Sequence, residues 1–310
     1  MFSSSSVWTN HRLFTAQNAS RSLFTLLKVF HKFPNLSAKF FLALYTTAVE
    51  PIVLYGSEIF GAYPDGTNIL ERPMLKFIKR ILGLPIGAPS AALRLDLALI
   101  QHKEKAIYRA ISYWCKCTRL QPTHPAAECL QHQLYLISRG VRCWAAFIKD
   151  HLFRLGFGYI WEGFGPADLS GFKKGLLQRI RDISFSDAMG AAQALPSLSY
   201  YTQIKSQVLG PEPYTNNSKI IRRCFAILRF NLKRSLPCDQ SCTYCLFCNE
   251  VYSQDIWSHF LYNCPNLKPL HPSTPKIPYP YILRPLLRGK YPSIISRMSV
   301  ALVKSPMRSE

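Results

Sequence analysis

Apolar residues recur along this chain mostly at helical spacing, and the alternation of a half-buried strand is rare. Residues 10–34 read as one helix, with Leu23, Leu26, Leu27 and Phe30 on one face and Pro34 ending it. Asn35 or Ser37 is placed to cap a second helix through FFLALYTTAV, and Pro51 opens a third through LYGSEIFGAY. A turn at PDG (64–66) leads into a fourth helix, NILERPMLKFIKRIL, whose Leu75, Ile78 and Leu82 form an apolar stripe. On another face of that helix Arg72, Lys76, Lys79 and Arg80 recur at i, i+4, i+7 and i+8, a cationic stripe suited to a phosphate backbone.

GLPIGAPS breaks the pattern, and helices follow over 91–99 and from 103 to about 119. QPTHP marks a linker at 121–125, and 126–152 reads as helical. Glycines and aromatics in LGFGYIWEGFGP suggest a loop, followed by weaker helices to about residue 206. The expected class is mainly α: a helical bundle and a helical connector, followed by a small cysteine-rich module. In linear order the segments are 1–34, 35–120, 121–235, 236–270 and a basic tail over 271–310.

Composition narrows the partners. A hydrophobic fraction of 48% with 13% aromatics is enough to build real cores. The net charge of +21, from 38 basic and 17 acidic residues, exceeds what solubility requires and implies a polyanionic partner. The most apolar stretch, AKFFLALYTTAVEPIVLYG, is interrupted by Glu50 and Pro51, which argues against a membrane span. Ten cysteines in a chain of 310 residues make no disulfide scaffold, and their clustering fits a reducing compartment, nuclear and cytoplasmic. No acid precedes Glu50, while Arg12, Arg21, Lys28, Lys32 and Lys39 all fall there, a composition like that of a mitochondrial transit peptide. The same acid-free basic pattern recurs elsewhere in the chain, so the N-terminus needs no special explanation.

The most informative residues are Cys245, Cys248, His259 and Cys264, which read Cys-x2-Cys-x10-His-x4-Cys. Two cysteines at that spacing can turn both thiolates onto one ion. A His and a Cys five positions apart lie on nearly the same face of a short helix and can complete a tetrahedron around Zn²⁺. Cys238 and Cys242 are nearby, and Cys242 with Cys245 is itself a plausible pair, so the first ligand is open. The flanks are cationic: between Glu212 and Asp239 there is no acid, but Lys219, Arg222, Arg223, Arg229, Lys233 and Arg234. Phe247, Tyr252 and Trp257 could stack on unpaired bases or pack around the ion. RNA or DNA is the expected partner, with no membrane and no small-molecule substrate.

Catalytic chemistry is not legible. No two acidic residues are adjacent, so a paired-carboxylate two-metal site is not visible, and neither a phosphate loop nor a nucleophile elbow occurs. Cys115 and Cys117, beside His102 or His124, do not make a thiol site, because a Cys-x-Cys on a helix points its side chains apart.

The stretch from Ala43 to Trp114 resembles the thumb of reverse transcriptases from LINE-type (non-LTR) retrotransposons. The resemblance rests on ALYTTAVEPIVLYGSEIFG, with Tyr55, Gly56 and Glu58, and on MLKFIKRILGLP, with Arg80, Leu82, Gly83, Leu84 and Pro85. AIYRAISYW, the Cys-Cys-His-Cys cluster followed by Pro265, and VWTNH near the N-terminus are also similar. Phe60 stands where that family usually has Trp, and the gap between Cys248 and His259 is slightly long. The resemblance implies a thumb-like helical domain at 35–120, a zinc element engaging template RNA or target DNA, and a catalytic palm upstream of Met1. It therefore implies a nucleic-acid-binding protein that is not itself a polymerase. A zinc-stabilised protein–protein adaptor and a basic mitochondrial protein are the rival readings.

Overall fold

Four of the helices end by one device, and at three of them a glycine in the sequence marks it. Gly83, Gly140 and Gly156 all lie in the left-handed region, with φ of 68°, 75° and 83°. At each, two backbone bonds close the helix: Gly83 N to Arg80 O with Leu84 N to Lys79 O, then Gly140 N to Ile137 O with Val141 N to Leu136 O, then Gly156 N to Phe153 O with Phe157 N to Leu152 O. These are Schellman closures, and glycine adopts the required conformation without a Cβ penalty. A fourth closure places Phe164 at φ 54°, with Phe164 N bonded to Trp161 O and Gly165 N to Ile160 O.

The computed structural model describes residues 5–33, 36–63, 69–205 and 211–216, together with residues 222, 226 and 230. The protein is mainly α, and no strand occurs among the described residues. The helices are α1 (Ser5–Lys32), α2 (Ala38–Ala48), α3 (Glu50–Val53), α4 (Ser57–Phe60), α5 (Glu71–Ile81) and α6 (Ser90–Leu97). They continue with α7 (His102–Cys117), α8 (Pro125–Ser138), α9 (Trp144–Arg154), α10 (Gly158–Glu162), α11 (Leu169–Gln193) and α12 (Ser199–Ile204). Two short 3₁₀ turns occupy Pro196–Leu198 and Pro213–Asn216.

Some boundaries follow the sequence pattern and several depart from it. Ser37 caps α2, its Oγ accepting from Phe40 N at 3.2 Å. The single helix expected from Pro51 is two short ones, because Gly56 takes φ 75° between α3 and α4. The stretch 126–152 is broken at Gly140 into α8 and α9. The weak helices expected near 170–190 are one helix of 25 residues. Asp168 caps it, Oδ1 accepting from Ser170 N at 2.9 Å and Oδ2 from Gly171 N at 3.0 Å.

The chain divides into two compact units, each drawn from three stretches of sequence. Unit one gathers the described residues of Met1–Thr25, Leu44–Leu75 and Leu99–Asp187. Its core centres on Trp114, fully buried, with Ile111, Ile148, Leu152, Leu176 and Ile180, and Trp161 stacks on Trp114 at 5.3 Å. Gly61 lies so close to the backbone carbonyl of Ala106 that a Cβ would overlap it, which lets α4 pack directly on α7.

Unit two gathers the described residues of Leu26–Ala43, Lys76–Ala98 and Ala188–Glu310. Phe30 meets Phe41 edge to face at 5.1 Å, and Phe77, Ile78, Ile81, Leu82 and Leu93 are buried. Tyr201 donates to Asp96 Oδ1 at 2.8 Å, Glu212 N donates to Asp96 O at 2.7 Å, and Lys205 pairs with Glu212 at 2.7 Å.

Candidate nucleic-acid interface

Helix α5 divides its sides as an amphipathic helix must. Met74, Phe77, Ile78, Ile81 and Leu82 are buried, which widens and shifts the expected stripe, since Leu75 is only half-buried. Arg72, Lys76 and Arg80 are exposed, and among the described residues none of their side chains has a hydrogen-bond or ion-pair partner. Steps of four residues put these three heads about 6 Å apart along the axis. Lys79 behaves differently. It is half-buried, its Nζ donates to Ile86 O at 2.5 Å, and burial lowers its pKa. Its ammonium is tied to the turn after α5, so the open cationic face consists of Arg72, Lys76 and Arg80.

The LGLP sequence after this face has a local explanation. Leu82, Gly83 and Leu84 are the last residue, the left-handed glycine and the return residue of the Schellman closure, and Pro85 cannot continue the helix. The YG-x-E sequence has one too. Gly56 makes the left-handed turn, Tyr55 projects outward at 73% exposure, and Glu58 sits 3.8 Å from Arg109 Nη1 in a half-exposed pair. Such a pair contributes little stability. Trp144 Nε1 donates to the Glu58 carbonyl at 3.1 Å. These motif residues organise helix junctions.

Arg222, expected among the exposed cations before the cysteine cluster, is buried. It donates from Nη1 to Leu36 O at 2.5 Å and from Nη2 to Ile81 O at 3.2 Å, and burial pulls its pKa down to about 10. It is removed from solvent and leaves the set of phosphate contacts. Lys219, Arg223, Arg229, Lys233 and Arg234 lie outside the described residues, as do Cys245, Cys248, His259 and Cys264. Among the described residues, no group of three or more His, Cys, Asp or Glu is placed to hold a metal ion.

Sequence reasoning passed over a buried polar network in unit one. His102 is fully buried: Tyr45 Oη lies 3.0 Å from its Nε2, its Nδ1 lies 3.2 Å from Glu71 Oε1, and its backbone N–H donates to the same carboxylate. Glu50, also buried, accepts from Lys105. Burial, with Glu50 and Glu71 nearby, pushes the Tyr45 hydroxyl far above the usual phenol range. Partners this distant in sequence leave no local signal. Cys115 and Cys117 are buried free thiols, and burial pushes Cys115 up to about 12, so it is no nucleophile at neutral pH. His124 caps α8 instead, its Nδ1 accepting from Ala126 N at 3.1 Å.

Fold and surface together define a mainly helical protein with an open cationic helix face. No family model, curated protein or solved structure matches the chain. Among the described residues no helix is long and apolar enough to cross a membrane.

Proposed function

We propose that this protein binds nucleic acid by its phosphate backbone, in the manner of the LINE-type reverse-transcriptase thumb that its sequence resembles, and without polymerase activity of its own. The observation that carries the reading is the α5 face: Arg72, Lys76 and Arg80 are exposed, aligned and, among the described residues, not neutralised by any acid. A duplex strand offers a phosphate about every 3.4 Å of axis, so heads about 6 Å apart meet different phosphates. A net charge of +21 adds long-range attraction to the same partner. Phosphate contacts position without reading bases, so the binding is weakly sequence-specific.

The cysteine-rich segment supplies the second contact in this reading. Three thiolates and an imidazole at Cys245, Cys248, Cys264 and His259 are a ligand set suited to one Zn²⁺, which would staple the segment beside its basic flank. Affinity measured by fluorescence anisotropy on one duplex and one single strand, over a range of salt, tests the proposal. Strong binding at low salt, lost steeply as salt rises, is expected; salt-insensitive binding or none refutes it.

A further inference from the structure

Unit one contains a cleft of about 170 Å³, lined by Arg12, Phe60, Lys103, Glu104, His151 and Arg154 among others. Three cations and one carboxylate share it. Arg12 Nη2 is held by the carbonyls of Phe60 and Tyr63, each at 3.0 Å, which fixes the guanidinium in the wall. Lys103 is half-buried, and among the described residues its amine has no hydrogen-bond or ion-pair partner. Glu104 is 2% exposed, yet among the described residues its Oε2 has no hydrogen-bond donor and pairs only with Arg154 Nη2 at 3.5 Å. The Arg154 side chain is 46% exposed and can turn away.

A purely anionic ligand would satisfy Lys103 and Arg154 but press a second negative charge against buried Glu104. A purely cationic ligand would do the reverse. A phosphate with a hydroxyl a few ångströms away suits both, because phosphate oxygens accept and a hydroxyl donates. In a nucleic acid that pairing exists only in the ribose form, where the 2′-OH stands beside the phosphate. The apolar side of the cleft, with Phe60, can take the face of the sugar.

We propose that this cleft binds one ribose-phosphate unit of RNA, with Lys103 and Arg154 on the phosphate and Glu104 accepting from the 2′-OH, and so gives the protein a preference for RNA over DNA. The inference rests on the nucleic-acid reading above and adds the choice of strand to it.

The test uses the full chain and three single strands of one sequence: RNA, 2′-O-methyl RNA and DNA, read by fluorescence anisotropy at one salt concentration. Methylation removes the donor and keeps the sugar. RNA is expected to bind about tenfold more tightly than either of the other two, the scale of one hydrogen bond to a charged group. Glu104→Ala should bring the RNA to 2′-O-methyl ratio to about one, and Lys103→Ala should weaken all three strands together. Equal binding of RNA and 2′-O-methyl RNA by the unaltered protein overturns the proposal even if a variant fails to fold. A ratio unchanged in folded Glu104→Ala overturns it as well. Adenosine monophosphate displacing RNA at equal concentration would overturn the assignment to a chain and make the ligand a free ribonucleotide. Absence of binding to all three strands would instead sink the nucleic-acid reading itself.

Discussion

Replacing Gly61 with alanine should destabilise unit one more than any other single-methyl change in it. The added Cβ would overlap two backbone carbonyls, Ala106 O on α7 and Ser57 O on α4. Neither is the end of a flexible side chain, so relief requires α4 to lift from α7. Overpacking of that kind costs about 1–3 kcal/mol, and backbone neighbours on two helices put this site near 3. The displacement would reach the proposed ribose-phosphate cleft, because Phe60 O, one residue earlier, is one of the two carbonyls that hold Arg12. Gly175→Ala, also in unit one, is the matched control: a Cβ there meets nothing within 4 Å, and loss of glycine freedom in the unfolded chain makes it neutral or stabilising. Urea unfolding followed by circular dichroism measures both. With a slope of about 3 kcal/mol/M, Gly61→Ala should lower the midpoint of the unit-one transition by roughly 1 M. A midpoint no lower than that of Gly175→Ala would refute the claim that α4 and α7 are in direct backbone contact.

Three further outcomes follow from named contacts. Asp168→Ala removes both acceptors at the start of α11 and should cost about 1 kcal/mol in the same unfolding assay, with Asp168→Asn keeping most of it. Burial lowers the pKa of His151, whose Nε2 lies 2.8 Å from Ala62 O, so the folded state resists its protonation. Its stabilising contribution is therefore full above the unfolded value of 6.5 and is lost as pH falls toward the lower folded value. Stability measured from pH 7 down to pH 5 should fall less steeply in His151→Asn. Metal analysis of purified protein should find one zinc per chain, lost in His259→Ala, because small zinc modules depend on their ion; zinc retained in that variant would remove His259 from the ligand set.

Much of the helical frame was legible because its signals are local. The stripe of α5, the Ser37 cap and the LGLP stop each depend on neighbours within one or two turns. Other features were hidden for definite reasons. The break between α8 and α9 is a single left-handed Gly140 inside an otherwise continuous helical pattern. The length of α11 was concealed by Gly171, Gly175 and Gly190, but Gly175 and Gly190 face open space while Phe172, Leu176, Ile180 and Ala188 are buried. Packing of that face overrides the low propensity of its glycines. Arg222 was expected to meet phosphate, and Arg12 was read only as part of a basic N-terminus, yet both are buried against carbonyls 48 to 186 residues away. The same distance hid Tyr45, Glu71 and His102. Of the proposed contacts, spacing alone identified Arg72, Lys76 and Arg80, whereas the attachment of Lys79 to Ile86 needed the three-dimensional turn.

The salt dependence of duplex binding tests the central claim most directly. Each phosphate neutralised on duplex contributes about −0.9 to the slope of log affinity against log salt. Removal of Arg72, Lys76 and Arg80 together should therefore flatten the slope by about two to three units while leaving helical content unchanged, since all three side chains are exposed. Arg119→Ala, whose guanidinium is bound to Pro166 O and Ala167 O, should change it far less. A slope in the triple variant equal to that of the unaltered protein would show that the α5 face touches no phosphate and contradict the account.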